Sequence, residues 1–386
     1  MTAPIPVTLW SDAEAIGGAE RYLEIVATGA DRSRFRVRVV LTKAKPVDAL
    51  ALRLKAAGLA VTRVTPAPTL SRVAGLLATF FELLIHRPSV LHANMTDPRA
   101  CNSVLLVARF LRIRRIAATE HLPDSPFDDK PAPFRHRVAR RTTTRAIALT
   151  ESGKQSLTDQ GLHPERVSVI KNGLPDPGAP SPERREEARA KLWPGLADDV
   201  PILGYIGRLA EQKEPELLLE AAKLVTMLLP SARVALVGDG PERPQLERLA
   251  QSMGLAHAVR WLGWRDDAQA LLYGCDCLIL PSSYEGMPLV LIEAMAAGVP
   301  VVARQISGLD EVVDDGVTGY LVRTPPDAPR ATIAALLAAA ITKIFRDKLT
   351  GARFSVAARA RYLEHFTDAH MLESTAAVWD DLLRAR

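Results

Sequence analysis

Residues 278–303 read LILPSSYEGMPLVLIEAMAAGVPVVA, and their punctuation decides the architecture. The apolar run Leu278–Pro281 has the length of a buried strand and breaks into a polar loop. Pro288 suits the first position of a helix, because its φ is already fixed and its missing N–H would be unpaired there anyway. Gly298 is a normal helix stop, and Pro300–Ala303 resumes as a strand. Strand, helix and strand in that order imply parallel pairing through a crossover helix.

The same alternation extends upstream. Ile202–Ile206, Arg233–Val237 and Val259–Trp264 read as strands, with helices starting at Glu214 and Pro241. The first half repeats the texture in Ile5–Trp10, Arg36–Lys43, Val61–Thr65, Val90–Asn94, Ile116–His121, Ala146–Thr150 and Val167–Lys171. Helical patterns such as Ala74–Ile85 lie between most of these runs. Between the halves, Asp176–Pro194 holds four prolines and many charges without a strand signal, and reads as a linker. The expectation is α/β, with two doubly wound Rossmann-like domains at 1–174 and 175–386 and a linker over about 175–199. In open sheets of this kind ligands bind outside the carboxyl ends of the strands, here in a cleft with the two domains facing each other. Beyond Asp327 the pattern is helical to the end.

A chain of 386 residues with 48% hydrophobic and 24% charged residues is a folded protein too long for one ordinary core. No uncharged apolar run reaches the ~18 residues of a membrane span. The first residues lack a basic leader region. Three cysteines make neither a disulfide framework nor a zinc site, so reduced thiols and a cytoplasmic location are expected. Charge is unevenly placed. Residues 1–175 carry 26 Lys and Arg against 15 Asp and Glu, a net +11, whereas the remainder carries 23 against 29, a net −6. The basic half suits an anionic partner: an acidic membrane surface or a phosphorylated acceptor, with nucleic acid behind for want of any recognition motif.

The chemistry concentrates in the second half. Past Pro288 the free donors at the helix start are the N–H groups of Leu289 and Val290, where the helix dipole favours a diphosphate. Glu285 in the preceding loop and Glu293 inside the helix flank that position, and hydroxyl groups are their natural partners. Taken singly, each reads better as an ordinary loop or surface charge. Arg208 and Lys213 follow the first strand of this half and could clamp two phosphates, Arg208 as a fork and Lys213 as a point charge. Gly238, in the turn Val237-Gly238-Asp239-Gly240-Pro241, would let a ligand approach the backbone. That turn fails as a dinucleotide fingerprint, since Arg243 occupies the third glycine position, and no Walker lysine motif occurs.

Together these residues resemble glycosyltransferase family 4 on the GT-B fold. Glu285 and Glu293, Arg208 with Lys213, the Val-Gly-Asp-Gly turn, Gly17-Gly18-Ala19-Glu20-Arg21 and Thr119-Glu120-His121 match in order. The resemblance implies a retaining transferase in which departing phosphate takes the acceptor proton. Arg208 and Lys213 would hold the donor diphosphate, and Glu293 the ribose hydroxyls. Glu285, with the backbone of Gly286 and Met287, would contact the transferred sugar. His121 would reach a sugar hydroxyl, although by itself it reads as a packed strand-end histidine. Gly17 and Gly18, otherwise a plain turn, would close on the phosphates. The last helix, about 368–383, would return to the first domain.

No cofactor or metal is expected beyond a UDP- or GDP-linked sugar as co-substrate, since no Asp-x-Asp motif occurs. One departure stands out: Glu214-Pro215 follows Lys213 where the family often has glycine, an acidic neighbour that would weaken the phosphate site. The implied reaction is sugar transfer to a glycan or lipid-linked acceptor in envelope or extracellular polysaccharide synthesis. Basic clusters at Arg109–Arg115 and Arg135–Arg145, the latter with Arg137, Arg140 and Arg141 on one helical face, suit peripheral attachment to the inner membrane face. The alternatives are a nucleotide-sugar epimerase on the same fold and a non-catalytic nucleotide-sugar binder.

Overall fold

Two all-parallel sheets organise the chain, one in each of two units. The computed structural model describes residues 3–65, 72–123, 140–325 and 327–384.

The first unit comprises residues 1–173 and 368–386. Its elements run β1 (Ile5–Trp10), α1 (Gly18–Gly29), β2 (Phe35–Thr42), α2 (Asp48–Ala56), β3 (Ala60–Val64), α3 (Arg72–Ile85), β4 (Val90–Met95), α4 (Asn102–Phe110), β5 (Ile116–Glu120), β6 (Arg145–Ala148), α5 (Glu151–Asp159) and β7 (Val167–Val169). The sheet order is β3-β2-β1-β4-β5-β6-β7. Winding therefore reverses between β1 and β4, the switch point where such sheets bind ligands. Strands β4 and β5 are buried along their whole length, which is why they read as short runs without clean alternation.

The second unit spans Leu174–Thr367. It contains α6 (Pro182–Leu192), β8 (Ile202–Ile206), α7 (Pro215–Leu228), β9 (Arg233–Val237), α8 (Arg243–Ser252), β10 (Val259–Gly263), α9 (Ala268–Leu271), β11 (Cys277–Leu280), α10 (Leu289–Ala296), β12 (Val301–Arg304), β13 (Gly319–Val322), α11 (Arg330–Arg346) and α12 (Lys348–His365). Its order, β10-β9-β8-β11-β12-β13, puts the switch point between β8 and β11. Leu203, Tyr205, Leu217, Leu236, Ile279 and Ile341 are among the fully buried residues of one core beside this sheet.

Three expectations need correction. The stretch read as a linker contains α6, an integral part of the second unit. Ser181 caps it by accepting from the Arg184 N–H at 3.3 Å, and Pro182 opens its first turn. Arg189 of this helix is buried and holds Asp276 at 3.2 Å and the carbonyls of Ala197 and Val200 at 3.0 and 2.7 Å. Second, Pro288 is the cap of α10, not its first residue: its ψ of 119° is extended, and its carbonyl accepts from the Leu291 N–H at 3.1 Å. Third, the strands read from the sequence omit β13, an edge strand of four residues that begins at a glycine. A Cβ on Gly319 would lie 2.1 Å from the Val301 carbonyl oxygen, so only glycine permits that pairing.

The last helix, α13 (Asp368–Arg384), packs in the first unit. Its buried Trp379 meets Phe35 edge-on at 5.1 Å and donates its indole N–H to His92 Nδ1 at 3.1 Å. Because Nδ1 accepts, the ring proton sits on Nε2, which donates to Thr119 Oγ1 at 2.8 Å. Burial holds this histidine neutral, with its pKa lowered to about 4.

Candidate functional site

In the second unit the loops leaving β8, β9 and β10 are stitched backbone to backbone. The N–H groups of Gly207 and Leu209 donate to the carbonyls of Val237 and Asp239, both at 3.0 Å, and that of Gly238 donates to Gly263 at 2.7 Å. Tyr205, buried in the strand, fixes the turn by donating its hydroxyl to the Arg208 carbonyl at 2.9 Å. This packing sets the role of Gly238. A Cβ there would lie 1.9 Å from the Gly207 carbonyl oxygen, and φ is +135°. Neighbouring backbone fills the direction a side chain would take, so the loop-to-loop contact requires glycine here.

The loop after β11 is tied to the short turn Glu211–Lys213 in the same way. Ser283 donates its N–H and its hydroxyl to the Gln212 carbonyl at 3.0 and 3.1 Å, and the Gln212 amide donates to Tyr284 O at 3.0 Å. Gln212 is invisible to sequence reading, because nothing local marks a side chain that clamps a loop seventy-two positions away. Across this junction the Lys213 ammonium and the Glu285 carboxylate form a close ion pair, with Glu285 only 7% exposed at its side chain. Arg208 is exposed on the adjoining loop, and its guanidinium makes no hydrogen bond or ion pair among the described residues.

Glu214 resolves the departure noted after Lys213. Its φ of +47° and ψ of 51° are left-handed, the conformation in which glycine is at ease. Its carboxylate turns to Arg330 at 3.2 Å and Arg304 at 3.7 Å, and Arg330 also pairs with Glu216 at 2.6 Å, so its charge is offset by neighbouring arginines.

At the start of α10, the N–H groups of Leu289 and Val290 have no partner among the described residues, as helix geometry requires. Leu289 is nearly buried and Val290 half-buried, and Met287 is buried beneath the loop. Gly286 is half-buried beside it. Glu293 is the one charged position of an otherwise apolar helix and is half-buried. Arg208, Lys213, Glu285 and the α10 start thus lie on the loops at the carboxyl ends of β8 and β11, the two strands of the switch point. These groups can hold an anion and hydroxyl-bearing groups side by side.

Gly17, Gly18 and His121 belong to the first unit. Gly17 and Gly18 are exposed at the start of α1, and Gly17 donates its N–H to Glu20 Oε2 at 2.9 Å. Gly17 is extended, and a Cβ would meet nothing closer than Glu20 Oε2 at 3.5 Å, so packing does not demand glycine there. Glu20 is buried, and burial raises its carboxyl to about 7 against the hydrogen bonds that lower it. His121 is also buried, with Nε2 on Asn94 Oδ1 at 2.9 Å and its ring edge-on to Tyr22 at 5.0 Å. Burial lowers its pKa to about 3, so it is a packed, neutral strand-end histidine that is not an imidazolium acid near pH 7.

Both halves match known family models: residues 16–176 a model described as Glycosyltransferase Family 4, and residues 185–361 one described as Glycosyl transferases group 1. Among solved structures, Anabaena HepE in complex with UDP and glucose superposes with a TM-score of 0.81 at 25% identity, covering 98% of this chain and 100% of that one. The fold is that of the GT-B glycosyltransferases. An α-maltose-1-phosphate synthase of Mycolicibacterium smegmatis is 30% identical over 63% of this chain, and a D-inositol 3-phosphate glycosyltransferase of Stackebrandtia nassauensis 31% identical over 67%. The matches span 64% and 60% of those two relatives, less than two thirds of either.

One basic cluster of the first unit is not what its sequence suggests. Arg140 is buried and grips Glu120 through both guanidinium arms, at 2.9 and 3.3 Å, and Arg145 pairs with Asp381 at 2.6 Å. Arg137 lies outside the described residues, and Arg141 is exposed. Glu120 in the Thr119-Glu120-His121 segment therefore has a structural partner. Arg109, Arg112, Arg114 and Arg115 are all exposed. Among the described residues no helix is long and apolar enough to cross a membrane.

Proposed function

We propose that this chain is a glycosyltransferase that moves a sugar from a UDP- or GDP-linked donor to a glycan or lipid-linked acceptor, with retention of anomeric configuration, in envelope or extracellular polysaccharide synthesis. The observation that carries the reading is the exposed, unpaired Arg208 guanidinium at the β8–β11 switch point, next to Lys213 and the open N–H groups of α10. Cations and a helix start belong together where a diphosphate must be held and its growing charge stabilised. Of the three ammonium donors of Lys213, Glu285 takes one and leaves two for phosphate oxygens. Glu285 thereby aims the lysine and presents its second oxygen to the sugar, while Glu293 takes the ribose hydroxyls.

In the reaction the bond between the anomeric carbon and the diphosphate oxygen breaks on the face where the acceptor oxygen bonds. The acceptor proton passes to the departing phosphate, whose charge Arg208 and Lys213 offset. The exposed backbone of Gly17 and Gly18 is available to a phosphate group, and neutral His121 offers only a hydrogen bond. The first unit would take the acceptor. Its basic character, and the inositol phosphate in one relative's name, support a phosphorylated or lipid-linked compound. The expected location is the cytoplasm, with exposed arginines of the first unit resting on anionic lipid.

Calorimetric titration with UDP and GDP tests the reading. Arg208→Ala and Glu293→Ala should each weaken nucleotide binding about ten- to a hundredfold, the worth of one charge-assisted hydrogen bond or of a pair of neutral ones. Wild-type affinity in both variants would overturn the assignment. Conversion of the donor sugar without any acceptor would favour an epimerase instead.

A further inference from the structure

Helix α3 leaves most of its apolar side chains outside the core. Its inward stripe is short and mixed: Gly75, Thr79 and Leu83 are buried, with Phe80 packed beside Leu83, Thr79 Oγ1 donates back to Gly75 O at 2.9 Å, and Glu82 accepts from Thr62 at 3.1 Å with Arg38 at 3.7 Å. Its outward stripe is apolar. Val73, Leu76, Leu77, Phe81, Leu84 and Ile85 recur at helical spacing and all face solvent, with Phe81 52% and Ile85 70% exposed. A surface helix normally turns such a stripe toward the core. Phe110, 77% exposed at the end of α4, extends the patch, because its ring meets Phe80 of α3 at 6.1 Å.

The surroundings indicate what covers it. Arg87 joins the end of α3 to the α4 turn by donating to Leu111 O at 3.0 Å. That turn displays Arg109, Arg112, Arg114 and Arg115, all exposed. Over residues 72–87 the only acidic residue is Glu82, which points inward, and residues 109–115 contain none. Apolar side chains beside an unopposed row of arginines match the layering of an anionic bilayer surface, with acyl chains beneath negative headgroups. Fourteen residues make a helix of about 21 Å, suited to lying in the interface and too short to span it.

We propose that α3 and Phe110 insert into the surface of an anionic bilayer while the arginines of 109–115 engage its headgroups. This deepens the membrane-facing part of the function proposed above, yet is independent of donor binding. The attachment then has an apolar component that salt does not remove, besides a charge component that it does.

Vesicle flotation with the full chain tests this, using phosphatidylcholine with and without phosphatidylglycerol at low and high salt. Wild type should float with anionic vesicles and keep part of that binding at high salt. The double variant Leu77→Gln, Phe81→Gln removes two exposed apolar side chains and should lower the vesicle affinity at least roughly tenfold. The described cysteines Cys101, Cys275 and Cys277 are buried, so Phe81→Cys offers one accessible thiol for an environment-sensitive fluorophore, which should shift to the blue on anionic vesicles. Flotation without that shift, or binding wholly abolished by salt, would reduce the contact to charge and overturn the insertion. A wild type that is dimeric in solution and becomes monomeric in the double variant would overturn it in favour of a second copy on this face. A parallel UDP titration separates the readings: loss of nucleotide binding with insertion intact sinks only the transfer reaction.

Discussion

At Glu214 a charged residue occupies backbone made for glycine, and two forces oppose each other there. The left-handed conformation costs roughly 1–2 kcal/mol for a residue with a Cβ, while half-exposed pairs with Arg304 and Arg330 return at most about 1 kcal/mol. Glu214→Gly relieves the strain but loses the pairs, whereas Glu214→Ala loses the pairs and keeps the strain. The glycine variant should therefore be the more stable of the two by about 1 kcal/mol in urea denaturation. Equal stabilities would mean the strain is not there. Glycines with positive φ allow a sharper contrast. Gly238 faces the Gly207 carbonyl, so Gly238→Ala forces two loops apart and should cost about 3 kcal/mol or more, with nucleotide binding falling as well. Gly254, at φ +76°, has nothing within 4 Å of the position a methyl group would take, and Gly254→Ala should cost only the conformational strain of about 1 kcal/mol.

At the scale of elements, α6 carries its own prediction. Arg189→Ala removes a donor to three backbone carbonyls and one partner of Asp276, all at least partly sheltered, and should destabilise the second unit by about 3 kcal/mol in thermal denaturation. A cost below about 0.5 kcal/mol, the level of an ordinary surface change, would return this stretch to the status of a linker. The helix is hard to see in the sequence because eleven residues with seven charges carry no apolar period, and its binding is through one arginine rather than a stripe. The signal that is present, Ser181 before Pro182 and Glu183, is a helix start that does not depend on hydrophobicity. The central strands are legible for the opposite reason: burial on both faces writes them as apolar runs. In the site, Arg208, Lys213 and Glu285 can be read from residue type and position after a strand. The Gln212 clamp, the left-handed Glu214 and the backbone contact behind Gly238 arise from loops that meet only after folding, and they leave no local pattern.

At the scale of the whole molecule, titration falls unevenly on the two units. His92 and His121 both lie in the first unit, buried and neutral, with pKa values lowered to about 4 and about 3. A lowered histidine pKa means the unfolded chain binds the proton first. The neutral ring therefore supports the fold fully above the unfolded value of about 6.5, and that support is lost as pH falls toward 4. Glu20 works the other way: its raised pKa, about 7, makes its support complete below about 4.5 and lost as pH rises through 7. Because the slopes oppose each other, the total pH dependence does not isolate either group, and a single substitution does. His92→Gln removes a proton-accepting ring that sits between Trp379 and Thr119. The variant should be less stable than wild type at pH 7, and the gap should narrow by about 3 kcal/mol as the pH is lowered from 6.5 to 4, since only wild type pays for keeping its ring unprotonated. Denaturant titrations of both proteins across that window measure the gap directly. The His92 ring resonance, followed by NMR, should stay in its neutral position until the pH nears 4. A gap that holds constant with pH would show that the ring titrates alike in both states and that α13 is not docked through a neutral histidine.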